Sequence, residues 1–336
     1  MTAQKSTKRP TIYEVAALAG VSKSLVSLVL RDSPQVSPAR REAVLTAIKK
    51  LNYEPNAAAS NLAGKSSGLI GVVIDDYSNT WFIETLKGLR EIFDEAGYHL
   101  AVSDLHEVRS RHSDAASALL AMKVDGLVVA AEPSNLSDRS KEIPYVIIGS
   151  RQTRPQRADV VTGSDELGAE LVVDHLADLG HKYIGHITGR DGAAHKRLDG
   201  FLSQTKARGC HGYFAGEGRA TDEETGYDCT LELMKVHPEI TAIFAANDFM
   251  AAGAIAALKK LKKRVPQDVS VAGYDDTVIA GPKFLDLTTV SDSGAEIGRQ
   301  AAKLLLRRIK AAQTAPHDLD LVPTLIARGS TSKVKK

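Results

Sequence analysis

From Gly68 onward the chain alternates short apolar runs with amphipathic helical stretches, which restricts this part to parallel sheets covered by helices on both faces. A first block reads LIGVVI, IETLKGLREIFDEAG, HLAVSD, a helical stretch around Ser113–Met122, DGLVVAA and PYVIIG. A second reads GAELVVDHLADLG, YIGHITG, RLDGFLSQTKARG, AIFAAND, MAAGAIAALKKL and SVAGYDD. Two such α/β halves leave a crevice at their strand C-termini, the usual place for a small ligand. No G-x-G-x-x-G follows a strand and no Walker A motif occurs, so a dinucleotide or nucleotide phosphate site has no support.

The residues before this body have a different character. Residues 1–65 hold ten Lys and Arg against four Asp and Glu, a charge of +6, while the remainder holds 33 against 37. A basic head on a mildly acidic body suggests a polyanion-binding module. The head also has helical periodicity, which a merely solubilising tail would lack. Thr11-Ile12-Tyr13-Glu14 fits a capping box, and Ile12, Val15, Ala16 and Ala19 share one side of the helix it opens. Gly20 can take the positive φ of a tight turn. In GVSKSLVSLVL, with Ser22 as N-cap, Val21, Leu25, Val26 and Val29 form an apolar arc. Lys23, Ser24 and Ser27 lie opposite, with Leu28 at the rim of that polar face. Ser37-Pro38 opens a third helix whose Val44, Leu45, Ile48 and Leu51 complete a small core. Two short helices across a glycine turn, braced by a third, make a helix-turn-helix whose second helix can enter a major groove.

Next, Asn56 can cap, three alanines favour helix and Gly64 can end it, but about two turns are too short to be stable alone in water. The helix-turn-helix TIYEVAALAGVSKSLVSLVL, the third helix VSPARREAVLTAIKKLNYEPN and the hinge NAAASNLA together resemble the lactose-repressor (LacI/GalR) family of bacterial regulators. The resemblance continues through LGHKYIGHITG, RLDGF, AAND, VPQDVSVAGYDDT, LTTV and ARGST. It implies an α/β protein: an all-α helix-turn-helix head at 1–54, a hinge helix and linker at 55–67, a periplasmic-binding-protein-like body at 68–331 and a basic tail at 332–336. The body would have two Rossmann-like subdomains with parallel sheets, one of about 68–162 plus 293–331 and one of about 163–292.

The same resemblance implies contacts. Double-stranded operator DNA would meet Thr11, Lys23, Ser24, Ser27, Leu28, Asn56, Ala57 and Leu62, the leucines of a dimer's paired hinges wedging into the minor groove and kinking the duplex. Leu28, unable to hydrogen-bond, suits a thymine methyl. Trp81 and Phe82 match positions that pack on an effector, and Arg197, Asn247 and Asp275 match polar positions that grip its hydroxyls or carbonyls. Read without the resemblance, Asp275 is equally a turn aspartate and Arg197 a structural ion-pair member. Four places depart from the family pattern. Leu28 replaces a frequent arginine or histidine, Gly149 a frequent aspartate and Asp292 a frequent glutamine, and Arg219-Ala220-Thr221 lies where an aromatic often stacks on the ligand. The expected effector is small and polar: a sugar, a cyclic polyol or a nucleoside.

Other features carry less. Gly64-Lys65-Ser66-Ser67-Gly68 spells a nucleophile-elbow pattern, but a helical stretch precedes it and a strand follows, the reverse of what that chemistry requires. His181, His186 and His195 form no metal motif and read as surface or loop histidines. The cluster Lys259–Arg264 reads as a solvated helix end. Two cysteines, Cys210 and Cys229, make no disulfide framework. With no signal sequence, membrane span, catalytic set, metal or cofactor expected, an enzyme and an exported sugar-binding protein both fit worse than a cytoplasmic, nucleoid-associated regulator. A terminal STSKVKK without a leucine heptad leads us to expect a homodimer. A regulator governed without a small effector is the rival within the same class.

Overall fold

A computed structural model describes residues 10–30, 33–53, 66–105, 115–132, 143–151, 158–190, 192–311 and 315–335. The chain divides into two compact units, Met1–Ser67 and Gly68–Lys336.

In the first unit, α1 (Ile12–Ala19), α2 (Lys23–Leu30) and α3 (Pro38–Leu51) enclose a core of Val15, Ala16, Val26, Val29, Val36, Val44 and Ala47. Each valine so buried contributes on the order of 1.5–3 kcal/mol relative to exposure, most of what holds helices this short. The capping box forms: the Thr11 hydroxyl accepts from Glu14 N–H, and the Thr11 N–H donates to the Glu14 carboxylate. Gly20 ends α1 at φ 66°, and Ser22 Oγ accepts from Leu25 N–H at 3.2 Å to open α2. Ser37 and Pro38 take the expected N-cap and N1 positions of α3, the serine without a side-chain bond and the proline without an N–H to satisfy. One expectation for α3 is corrected. Leu45 is 52% exposed, and Ala47, one turn along from buried Val44, takes the core position.

The second unit contains two parallel sheets. The first, ordered β11-β5-β4-β3-β1-β2, comprises β1 (Leu69–Ile74), β2 (His99–Asp104), β3 (Gly126–Ala130), β4 (Tyr145–Ile148), β5 (Asp159–Thr162) and β11 (Asp318–Asp320). Helices α4 (Trp81–Glu95), α5 (Ala115–Ala121) and α10 (Gly294–Lys310) pack on it. β3 and β4 are buried along their whole length, as strands covered on both faces must be, which is why they read as unbroken apolar runs. The second sheet, ordered β7-β6-β8-β9, comprises β6 (Tyr183–Ile187), β7 (His211–Ala215), β8 (Ala242–Ala245) and β9 (Ser270–Ala272). Around it lie α6 (Asp165–Asp178), α7 (Gly192–Ala207), α8 (Glu223–Val236) and α9 (Asp248–Lys260). An antiparallel pair, β10 (Thr289–Ser291) and β12 (Thr324–Ile326), completes this half.

The chain passes between the halves three times, after β5, after β10 and between β11 and β12. The third passage departs from the expected grouping of 293–331 with the first subdomain. α10 and β11 do join the first sheet, but β12 pairs with β10. From there Arg328 bonds Asp276, Ser330 Oγ donates to the Val271 carbonyl, and Val334 N–H reaches the Leu179 carbonyl. Residues of the expected basic tail are thus tied to the second half by backbone hydrogen bonds. The histidine reading also needs correction: His181 is 2% and His186 0% exposed. His186 stacks between Phe201 and Phe244 and donates Nδ1–H to the Phe244 carbonyl. Burial holds its pKa down to about 3, so it is a neutral core residue.

Candidate functional site

The polar face expected of α2 is present. Lys23, Ser24 and Leu28 are exposed and Ser27 is half-buried, while Val26 and Val29 face the core. Lys23 Nζ lies 5.0 Å from the Tyr13 ring centroid and 3.4 Å from its hydroxyl, so α1 and α2 present one continuous surface of an amine, a phenol and hydroxyls. The Thr11 hydroxyl is engaged with Glu14, which makes it first a cap. Asn56, Ala57 and Leu62 lie outside the described residues.

In the second unit a cavity of about 600 Å³ opens between the two sheets, the size of a small-molecule site. Strand ends of both halves build it: Asp75 after β1, Leu105 after β2, Arg151 after β4, Arg190 after β6, Asn247 after β8, Asp275 after β9 and Asp292 after β10. Parallel strands whose C-termini point to one edge place their following loops there, so residues far apart in sequence converge. Trp81, Phe82, Arg197, Asn247 and Asp275 all line this cavity.

They do not all offer free groups to it. Arg197, 6% exposed, donates Nε–H to Asp165 Oδ1 at 2.7 Å and Nη1–H to the Ala246 carbonyl at 2.5 Å. Its Nη1 also lies 3.0 Å from Asp275 Oδ1, and the guanidinium sits 3.6 Å from the Tyr274 ring centroid. Burial opposes its charge, but Asp275 and Asp165 more than offset that and keep it ionised. Asn247 caps α9, its Oδ1 accepting from Met250 N–H while Nδ2 donates to the Thr221 carbonyl. Phe82 is largely absorbed in the first core, edge-on to Trp81 with centroids 5.2 Å apart.

Arg151, Ser150 and Phe249 line the cavity without having been singled out from sequence, whereas Gly149, Thr221 and Asp292 were marked there only as departures from the family pattern. Arg151 is pinned by the Ile148 carbonyl and by Asp75 at 3.4 Å, and its guanidinium occupies the space beside Gly149. At φ 76° and with Arg151 Nη2 3.3 Å from where a Cβ would stand, that position accepts glycine in place of a side chain. Ser150 donates to Asp165 across the two halves at 2.6 Å. Phe249 supplies an aromatic wall, whereas Arg219 turns away to pair with Glu232, leaving Ala220 and Thr221 at the cavity. Asp292, 4% exposed, accepts Trp81 Nε1–H at 2.7 Å. Burial first and the nearby Asp275 second raise its pKa well above the usual carboxylate range, and the same two causes lift buried Asp248 to about 7. No group of three or more His, Cys, Asp or Glu suited to a metal ion occurs among the described residues.

Residues 11–56 match the family model described as bacterial regulatory proteins, lacI family, and residues 173–331 match the periplasmic binding protein-like domain. The ribose operon repressor of Halalkalibacterium halodurans is 30% identical over 96% of this chain and 97% of its own. Among solved structures, the lac repressor dimer bound to operator and the anti-inducer ONPF aligns over 97% of this chain and all of its own, with TM-score 0.84 and 29% identity. A LacI family regulator from Enterococcus faecalis with bound ribose aligns over 80% of this chain and all of its own, with TM-score 0.70 and 26% identity.

Proposed function

Because this chain belongs to the lacI family of bacterial regulatory proteins, and so is a DNA-binding transcription regulator and not an enzyme, we propose how its parts divide the work. Two copies act as a cytoplasmic homodimer on a pseudo-palindromic operator, each α2 reading a half-site in the major groove. Lys23, Ser24, Ser27 and Leu28 face the bases and phosphates, and Thr11, Asn56 and Ala57 help to position the head. The paired Leu62 side chains open the centre of the site. A small polar effector, a sugar or a related polyhydroxylated molecule, occupies the body cavity against Trp81, Phe82, Arg197, Asn247 and Asp275. The domain boundaries at 54 and 67 separate the reading head, the hinge and the sensor.

One observation carries the effector part: the cavity is lined by loops of both halves, with Ser150 and Trp81 bonded across it to Asp165 and Asp292. A ligand seated there touches both halves and so favours one angle between them. The ribose held by the Enterococcus faecalis regulator supports a sugar as the class. For the ligand to act, it must bind the DNA-competent and DNA-incompetent states with different affinity. The deciding experiment selects an operator from a randomised duplex library with the full chain. It then measures the affinity for that operator with and without each member of a sugar, polyol and nucleoside panel. Weakened binding identifies an inducer and tightened binding a corepressor. Operator binding that no panel member alters would favour a regulator governed without a small effector.

A further inference from the structure

The edge of the second sheet opposite the cavity is strongly basic. β6, β7, β8 and β9 are parallel, so the loops that enter them share this edge with the last turns of α6 to α9. The end of the chain joins them: Ser332 Oγ donates to the Pro266 carbonyl, and Val334 N–H donates to the Leu179 carbonyl. Segments 178–183, 206–211, 235–241, 259–269 and 332–335 hold eleven Lys and Arg against three Asp and Glu, whereas the rest of 66–336 holds 22 against 34. The excess positive charge of the body is gathered at one end of one half.

The arginines here are committed and the lysines are not. Arg208 pairs with Asp174 and Asp178, and Arg264 forks onto Asp268 with two bonds of 2.8 Å. The nine lysines are exposed, and none stands in an ion pair among the described residues. A lysine in the last turn of a helix offsets the helix dipole, which accounts for Lys206, Lys235, Lys259 and Lys260. It does not account for Lys182, Lys262, Lys263, Lys333 and Lys335, which lie beyond the helix ends. Like charges crowded in this way repel one another and oppose folding, and a bound polyanion relieves that cost. Ammonium groups sense charge without the fork geometry by which arginine fits a single carboxylate or phosphate. The array therefore suits an anion whose charges repeat closely, and duplex DNA carries one about every 1.7 Å. An acidic protein segment offers similar charge, but a chain held on DNA by its basic head has further duplex at high effective concentration.

We propose that this basic edge is a second, sequence-independent DNA-binding surface, by which a chain held on one duplex through its head takes hold of another. The surface needs no small ligand and stands apart from the effector reading given above.

The test loads the full chain onto an immobilised duplex that the head holds, then adds a labelled duplex of unrelated sequence. The second duplex should be captured saturably, with an affinity that falls about a hundredfold between 50 and 200 mM salt, as about four phosphate contacts require. The combined Lys259→Gln, Lys260→Gln, Lys262→Gln and Lys263→Gln variant should weaken capture at least about tenfold and flatten its salt dependence, with the hold on the first duplex unchanged. Lys333→Gln with Lys335→Gln, which leaves the end of α9 intact, should act in the same direction and decides the matter if the fourfold variant does not fold. Capture that these substitutions leave unchanged overturns the proposal and places the second duplex on a head. No capture at low salt also overturns it and returns the lysines to a merely solvated surface. Labelled poly-L-glutamate bound as tightly as the duplex, or more so, overturns it in favour of a dock for an acidic protein.

Discussion

Arg197 Nε donates to Asp165 Oδ1 at 2.7 Å, and both side chains are buried. This bond ties α7 to the first turn of α6, while the same guanidinium neutralises Asp275 on a third element. Removing it leaves two buried carboxylates facing each other without a cation. Breaking a buried pair in this way costs about 3–5 kcal/mol. Arg197→Met should therefore lower the unfolding free energy extrapolated from denaturant melts by that amount, beyond any effect on ligand response. A loss below about 1 kcal/mol would mean that the site relaxes or takes up protons, and that Arg197 is held for the ligand alone.

Stability should also fall as pH rises from about 7 to 8.5. Asp248 is buried among Thr277, Thr289 and Asp275 and keeps its proton to about 7, and Asp292 is shifted in the same direction. An unfolded aspartate loses its proton near 3.9, so over this range the folded state binds more protons and unfolding becomes easier with rising pH. The depressed histidines His175, His181 and His186 act oppositely, but below their ordinary 6.5, where the unfolded chain takes up protons. Thermal midpoints measured across pH 7–8.5 should decline for the native chain and decline less for Asp248→Asn. Equal slopes would remove Asp248 from the balance.

These buried acids mark the limit of what the sequence made legible. Strands such as β3 and β4 are visible as apolar runs because both faces are covered, and the capping box at Thr11 is visible because its chemistry is local. β7 was missed because it is an edge strand with His211 and Phe214 exposed, so its pattern matches neither a buried nor an alternating strand. α8 opens on the polar run after Asp222, and its buried Cys229, Leu233 and Met234 become a helix face only once that cap is recognised. β11 and β12 are three residues each, too short to carry a period, which hid the third passage between the halves. At the cavity, the family-matched positions converge, but the occupancy of their polar atoms is tertiary information. Phe249 falls between the runs AIFAAND and MAAGAIAALKKL and was passed over; it is a wall because Asn247 fixes where α9 starts.

Helices α4 and α10 pack closely through two glycines, and Gly88 stands directly against the Ala295 backbone. Gly88→Ala improves local helix propensity by up to about 1 kcal/mol, yet its methyl would enter the Ala295 carbonyl. Overpacking of this kind costs about 1–3 kcal/mol, a drop of several degrees in thermal midpoint for a body of this size. An unchanged or higher midpoint would show that the two helices can part without loss.

On the head, Ser24 and Lys23 are exposed side by side at the start of α2. Ser24→Ala should change the half-site recovered from a randomised duplex library, since each lost base contact costs about 1–3 kcal/mol of discrimination. Lys23→Ala should weaken operator binding and lessen its salt dependence in proportion to the phosphate contact removed. An identical selected sequence for Ser24→Ala would show that this hydroxyl only positions the helix.

Asp275 combines backbone and charge in one residue. It holds φ 98°, a region side chains seldom occupy, and its carboxylate pairs with Arg197 while raising the pKa of both Asp292 and Asp248. Asparagine tolerates positive φ better than most residues and keeps an acceptor for Arg197, so Asp275→Asn should preserve the fold. It removes the negative charge that pairs with Arg197 and that the proposed effector contact would use. The variant should bind operator normally in the absence of ligand and lose at least about tenfold in affinity for the effector, as expected when a charge-assisted hydrogen bond is replaced by a neutral one. It should also lower the pKa of Asp248, so its thermal midpoint should depend less on pH between 7 and 8.5 than that of the native chain. The two readouts separate the roles. A normal effector response with a flattened pH slope would make Asp275 an electrostatic support whose ligand contact lies elsewhere. Loss of response with an unchanged slope would make it a ligand contact with no hold on the buried acids.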